Sequence, residues 1–273
     1  MLLGFDLTTG ISQNVLIDVV NENVHILPKE LNNLKSVLEE YVDYDLSDCE
    51  VIDKPVSTPS WVEFIEVVFN SQLLTNVFRL ASDLLTEHIL FHVDSAEDYH
   101  YLVNEITRKK TAGDFMLYQI IIAITFDINQ CDELIDNNGF ISVVSLSELK
   151  KKRRIHPDNF IIDKDAILGS EQRNLFYYSR IYIDYDGFVK PHSGSSMREI
   201  CIKEELNISA VKSSEKLKEL WNIPANKIES CGQCEFRKIC FDIRVPVLDL
   251  DGVYRKSGNC PYDPHTGEWS IEV

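Results

Sequence analysis

Hydrophobic and polar positions in residues 1–60 follow two patterns, the first typical of a β-hairpin and the second typical of a helix. Residues 14–20 are rich in β-branched side chains, a polar turn follows, and residues 24–27 form the predicted return strand. Pro28 then opens a predicted helix, whose apolar side chains recur at helical spacing: Leu31, Leu34, Val37, Leu38 and Tyr41. This hairpin-helix module fits peptide recognition, and it fits equally the first elements of any α+β protein.

Residues 61–175 alternate between helix and strand patterns. A capping box that begins at Ser60 predicts a helix over 61–70, with Phe64, Val67 and Val68 on its inner face. Strands are predicted over 88–93, 118–125 and 140–145, and helices over 95–108 and 129–137. This rhythm indicates an α/β fold with a parallel sheet. The segment is too short for eight βα units, so we expect a partial, incomplete βα barrel-like sheet.

Residues 176–273 are predicted to form a small, loop-rich third domain. A strand over 178–184, a turn at Asp186-Gly187 and a return strand over 188–190 form a predicted hairpin, and a short helix follows over 213–220. Few long apolar runs follow that helix. We therefore expect a bound metal to supply much of the folding free energy of the last segment.

Four of the seven cysteines fall within residues 231–260 and are the candidate metal ligands: Cys231, Cys234, Cys240 and Cys260. Two, five and nineteen residues separate them in turn. Four soft thiolates suit a tetrahedral zinc ion or a 4Fe–4S cluster. Zinc ribbons usually have two Cys-x-x-Cys knuckles and this chain has one, which favours the cluster and leaves zinc as the alternative.

Composition and charge narrow the function classes. The chain has 273 residues, of which 44% are hydrophobic and 26% charged, as in globular proteins. Its formal net charge of −17 disfavours binding to nucleic acid. The basic run from Lys150 to Arg154 indicates a solvated helix end or a site for an acidic partner. No phosphate-binding glycine motif follows a predicted strand.

Cellular location follows from two absences in the sequence. There is no run of about 18 apolar residues, which a membrane span requires. The first residues lack the basic region and cleavage site of a signal peptide. We therefore expect a cytoplasmic protein with no membrane contact. In that compartment thiols stay reduced, so clustered cysteines indicate metal ligands rather than disulfides.

The last third of the chain resembles the SPASM-domain proteins that are encoded with ATP-grasp peptide ligases, the grasp-with-spasm peptide maturases. The similarity is specific over 221–244, which includes Cys-Glu-Phe-Arg, and over 259–269, which reads NCPYDPHTGEW. The hairpin IYIDYDGFVKP resembles the start of SPASM domains, while the N-terminal hairpin is a looser match.

The resemblance implies a role in maturing a ribosomally synthesised peptide, with the precursor peptide and the ATP-grasp ligase as partners. Cys231, Cys234, Cys240 and Cys260 match the ligands of the second auxiliary 4Fe–4S cluster of SPASM domains. The first cluster's ligands are largely missing, and His192 stands where a cysteine is expected. The C-x-x-x-C-x-x-C motif of radical SAM enzymes is absent from this sequence, so we expect no radical SAM chemistry.

Alternatives to this hypothesis are a redox enzyme and a zinc-stabilised protein-binding module. His192 fits a solvated loop residue or a further ligand, and His265 fits loop packing or a hydrogen bond near the cluster. Asp242 is predicted to pair with a neighbouring arginine. The other cysteines, Cys49, Cys131 and Cys201, are predicted to be core or surface thiols.

Overall fold

A computed structural model describes residues 5–41, 62–111, 119–127, 141–203 and 206–270. The chain divides into two compact units. Unit 1 comprises Met1–Thr58, Arg153–Phe176 and Asn222–Val273, and unit 2 comprises Pro59–Lys152 and Tyr177–Trp221. These units differ from the segments 1–60, 61–175 and 176–273 that the sequence predicts as domains.

The secondary structure of the described residues is mixed α and β. The strands are β1 (Phe5–Thr9), β2 (Asn14–Asp18), β3 (Asn23–Leu27), β4 (Phe64–Val68), β5 (His88–Val93), β6 (Gln119–Ile124), β7 (Ile141–Ser145), β8 (Arg180–Ile183), β9 (Val189–Lys190), β10 (Pro246–Leu248), β11 (Tyr254–Lys256), β12 (Tyr262–Asp263) and β13 (Glu268–Trp269). The helices are α1 (Leu34–Tyr41), α2 (Leu74–Asp83), α3 (Ala96–Thr111), α4 (Leu146–Lys152), α5 (Lys164–Gly169), α6 (Ile208–Ser213), α7 (Glu215–Lys218) and α8 (Glu229–Gly232).

Unit 2 is organised around a sheet that, in the described residues, has the strand order β7-β6-β5-β4-β8-β9. Strands β4 to β8 pair in parallel and β9 pairs antiparallel to β8. Alternate residues such as Ile65, Phe91 and Ile122 lie in the apolar core, which also contains side chains of α2 and α3. Period-two alternation thus turns one face of the sheet toward the helices.

Several predictions for unit 2 are confirmed. Strands lie at β5, β6 and β7, and the sheet they form is parallel. Helix α3 begins after Ser95, whose hydroxyl accepts a hydrogen bond from the Asp98 amide at 3.1 Å. The helix predicted over 129–137 lies outside the described residues, and barrel-like closure of the sheet stays a prediction.

The helix predicted over 61–70 is wrong, because Phe64–Val68 form the strand β4. This strand lies between β5 and β8, with Phe64 opposite both His88 and Arg180. A run of five residues with two valines and an isoleucine is compatible with either structure on local grounds. Ladder hydrogen bonds on both sides and burial of Ile65 and Val67 decide in favour of the strand.

In unit 1, the predicted N-terminal hairpin is confirmed, and it is part of a sheet with a third strand. Strands β2 and β3 pair antiparallel, and β1, which the sequence pattern did not predict, pairs with β2 on its other side. Helix α1 begins at Leu34 instead of Pro28, because the Asn33 side chain accepts from the Ser36 amide and caps it there. The helix packs Val37 and Leu38 against Phe5 and Leu16.

The basic run forms the end of a helix, as one of its two interpretations predicted. Lys150, Lys151 and Lys152 occupy the last turn of α4, where cations suit the helix dipole. None of the described helices has both the length and the apolar composition of a membrane span.

Candidate metal centre

Cys231 and Cys234 are positioned by the single turn α8 and the two residues that follow it. The Gly232 amide donates to the Ile228 carbonyl at 2.7 Å, and the Cys234 amide donates to the Cys231 carbonyl at 3.1 Å. A Cβ atom at position 232 would lie 2.9 Å from the backbone oxygen of Asn226. The glycine between the two cysteines is therefore required by close backbone packing.

Cys240 and Cys260 reach the same region from two later segments. A turn at 236–240 positions Cys240, whose amide donates to the Phe236 carbonyl at 2.9 Å. Cys260 lies in the loop between β11 and β12, where Gly258 takes a positive φ of 79°. The first three thiols are partly buried and Cys260 is exposed.

All four predicted ligands line one cavity of ≈ 60 Å³ in unit 1. Since a single water needs roughly 10–15 Å³ on this measure, the cavity has room for several water-sized groups. None of Cys231, Cys234, Cys240 and Cys260 is in a disulfide. The fold thus brings together the four thiols that the sequence singled out, although Cys260 lies nineteen residues from Cys240.

The size of this cavity bears on the kind of metal centre it fits. Four thiolates that share one zinc ion at about 2.3 Å each lie in mutual contact and enclose no further space. In a 4Fe–4S centre each thiolate binds its own iron, so the sulfurs stand apart around the cluster. Among the described residues, no group of three or more His, Cys, Asp or Glu side chains has the geometry of a metal-ion site, so the metal centre stays a prediction.

The wall of the cavity carries more cations than carboxylates. Its charged side chains are Arg237, Arg244, Lys256 and Asp242. Asp242 is buried and accepts two hydrogen bonds from Arg244, at 3.0 and 2.8 Å, which confirms the predicted ion pair. Lys256 Nζ lies 3.6 Å from the same carboxylate. Two cations thus share one buried carboxylate, and this local positive excess suits an anionic thiolate centre.

Burial favours the protonated form of three thiols of this cavity, those of Cys231, Cys234 and Cys240. It raises the pKa of Cys231 to about 11, with a smaller contribution from Asp242. Burial also raises the pKa of Cys234 and of Cys240. A bound metal cation would favour the thiolate form of these cysteines, so we expect metal binding to release protons.

An apolar platform also supports the cysteine segment, and the expectation that a metal supplies much of its folding free energy stays a prediction. Phe236, Ile239 and Tyr262 pack with Val15 and Ile17 of β2. Aromatic rings extend this platform: Phe236 lies 4.9 Å from Phe160, and Tyr262 lies 4.8 Å from Trp269, between ring centroids. The N-terminal hairpin and the cysteine segment thus share one core, which no local pattern revealed.

A buried carboxylate beside the platform was not predicted from the sequence. Glu235 is fully buried and accepts a hydrogen bond from the Tyr262 hydroxyl, which in turn accepts from Gln13 Nε2 at 3.1 Å. Burial, and then the hydrogen bond to Glu235, raise the pKa of Tyr262. The sequence did carry a signal for it, since Glu235 stands between Cys234 and Phe236. An acidic residue flanked by core residues is itself buried and needs a buried partner.

The remaining candidates lie elsewhere or outside the described residues. His192 belongs to unit 2, where its ring lies 6.3 Å from that of Tyr177, and it does not line the cysteine cavity. His265 is exposed, and its amide donates to Asp263. Cys201 is partly buried in unit 2. Cys49 and Cys131 lie outside the described residues.

No protein-family model matches this chain, and no significant similarity connects it with a curated protein or with a solved structure.

Proposed function

We propose that this protein is an accessory factor in the maturation of a ribosomally synthesised peptide, and that it acts with an ATP-grasp ligase. A 4Fe–4S cluster bound by Cys231, Cys234, Cys240 and Cys260 completes its C-terminal region. The observation that carries the proposal is the convergence of these four thiols on one cavity with cationic walls. The maturation role itself rests on the SPASM-like sequence pattern around them.

The cluster has a supporting role in this proposal. Three of its ligands are partly buried, and all four iron positions have a cysteine, so no iron is left open for S-adenosylmethionine. The sequence also lacks the radical SAM motif. The chain's own residues hold the centre: the platform at Phe236 and Tyr262 fixes the cysteine turns, and Arg244 and Lys256 offset its negative charge.

The cofactor is tested by purifying the protein without oxygen and measuring iron, acid-labile sulfide and zinc. We expect about four irons and four sulfides per chain. Cys240→Ser should lower both to background, while the matched control Cys201→Ser should leave them unchanged. About one zinc per chain, without sulfide, would contradict the 4Fe–4S cluster and favour the zinc-stabilised protein-binding module.

The maturation role is tested separately by affinity capture with any precursor peptide and ATP-grasp ligase that are encoded beside this protein. We expect the loaded protein to retain at least one of them at micromolar concentration. Retention of neither would contradict the role while leaving the metal centre intact.

A further inference from the structure

The parallel sheet of unit 2 has a polar face opposite its helix-covered face. The residues that alternate with the core positions of β4, β5, β8 and β9 include Phe64 and the buried Leu90, and the polar ones among them are Glu66, His88, His92, Arg180, Tyr182 and Lys190. Sheets that are covered on both faces are usually apolar on both. Burying ionisable side chains is costly, so this departure calls for a reason beyond folding.

A carboxylate on the polar face orients a histidine. Glu66 Oε1 lies 2.7 Å from His92 Nε2, and Glu66 Oε2 lies 3.5 Å from Arg180 Nη1. The Arg180 guanidinium in turn lies over the Phe64 ring, 3.7 Å from its centroid. The imidazole of His92 is thus held by the Glu66 carboxylate, and that carboxylate is held by Arg180. Proteins orient acid–base histidines in this way.

His92 is the accessible member of this group. About a tenth of the Glu66 and Arg180 side chains is exposed, against 20% for His92. His92 lies one residue before the carboxyl end of a central parallel strand, at the edge where α/β sheets bind ligands. Within the described part of the chain, the hydrogen bond of His92 is made by Nε2, so its Nδ1 is available to accept one from a ligand.

The charges around His92 select the ligand. Arg180 lies against Glu66, and Lys190 lies 2.6 Å from Asp184, so these cations already have carboxylates. Asp94, which follows β5 directly, adds a further carboxylate at the same edge, where it accepts a hydrogen bond of 3.4 Å from the Thr125 hydroxyl. An anion is therefore disfavoured, and a cation that donates hydrogen bonds is favoured.

We propose that His92, oriented by Glu66, binds a primary ammonium group at the carboxyl edge of the unit 2 sheet. The ammonium nitrogen donates a hydrogen bond to His92 Nδ1. The Glu66 carboxylate accepts a hydrogen bond from the proton on Nε2 and so keeps the imidazole in the tautomer whose Nδ1 is an acceptor. This site goes beyond the proposed function, and it does not depend on the metal centre.

The test is a titration of the full-length protein, followed by long-range ¹H–¹⁵N NMR of the histidine ring nitrogens at neutral pH. The probes are n-butylammonium, n-butanol and butyrate at equal ionic strength, and His92→Gln assigns the signal. Butylammonium should shift the His92 Nδ1 resonance saturably, while butyrate should not. The exposed ring of His156, which lies 3.3 Å from Asp158, is the control for non-specific binding.

Glu66→Gln is the matched variant, because it keeps the side-chain shape and removes the charge. It should weaken the butylammonium response about tenfold, as expected for loss of one charge-assisted interaction. A His92 signal that ignores all three probes would show a purely structural cluster and overturn the proposal. An equal response to butanol, or a larger response to butyrate, would overturn the assignment to an ammonium group.

Discussion

The cysteine cavity of unit 1 and the polar sheet face of unit 2 both bury ionisable side chains, but they satisfy them differently. On the sheet face, Glu66 has His92 and Arg180, and Asp184 has Lys190. In unit 1, four thiols line the cavity, and burial raises the pKa of three of them, Cys231, Cys234 and Cys240. The buried charges of the sheet face are thus paired with one another, whereas thiolates in the cavity would need a metal cation from outside.

Removal of the metal should have the largest effect and should be confined to unit 1. If the four thiols hold a centre, chelation without oxygen should cost several kcal/mol of local stability there. Hydrogen exchange of individual amides measures this: protection should fall around 231–240 and persist in β5 and β6. Equal loss of protection in both units would contradict the contrast between the two sites.

Phe236→Ala should be the next most damaging change, because it removes the ring at the centre of the platform. A buried phenylalanine replaced by alanine costs about 3–5 kcal/mol. Urea unfolding of the metal-free protein, followed by circular dichroism, should show this loss. Ile26→Ala is the control, since that side chain is 58% exposed and should change stability by less than about 0.5 kcal/mol. No difference between the two variants would mean that metal alone holds the segment.

Glu66→Ala should destabilise unit 2 without changing the metal content. Removing one partner of a buried ion pair costs about 3–5 kcal/mol, and the partial exposure of Glu66 places this variant at the lower end. Glu66→Gln should cost less, because its amide oxygen can still accept a hydrogen bond. Chemical denaturation measures both variants, and a drop in bound iron in either one would argue against independent sites.

His192 should give the smallest effect, a shallow dependence of stability on pH. Burial, together with Lys190 and opposed by Glu219, holds the pKa of His192 below its ordinary value of about 6.5. The unfolded chain therefore binds more protons as the pH falls below about 6.5, and stability decreases there while staying unaffected above it. In the His192→Gln variant, the midpoint of thermal unfolding should change less with pH between pH 5 and pH 7 than in the unmodified protein. If the variant shows the same pH dependence, other groups cause it.

Local signals predicted the regular elements of unit 2 well because their patterns were unambiguous. The apolar run of β6, the hydrophobic strand β5 and the Ser95 cap of α3 each have one physical interpretation. The stretch 64–68 had two interpretations, a helix and a strand, and the capping box at Ser60 favoured the helix, which is wrong. Only the neighbouring strands β5 and β8 made the extended form the better choice.

The sequence by itself determined which thiols were candidates and which runs form strands or helices, because these depend on residue type and short-range spacing. Tertiary structure alone decided that the N-terminal hairpin packs with the cysteine segment, that Cys260 joins the other three thiols, and that Glu66 meets Arg180 across 114 residues. The reason is physical: spacing and propensity act within a few residues, whereas burial and charge pairing are settled only when distant segments share one core.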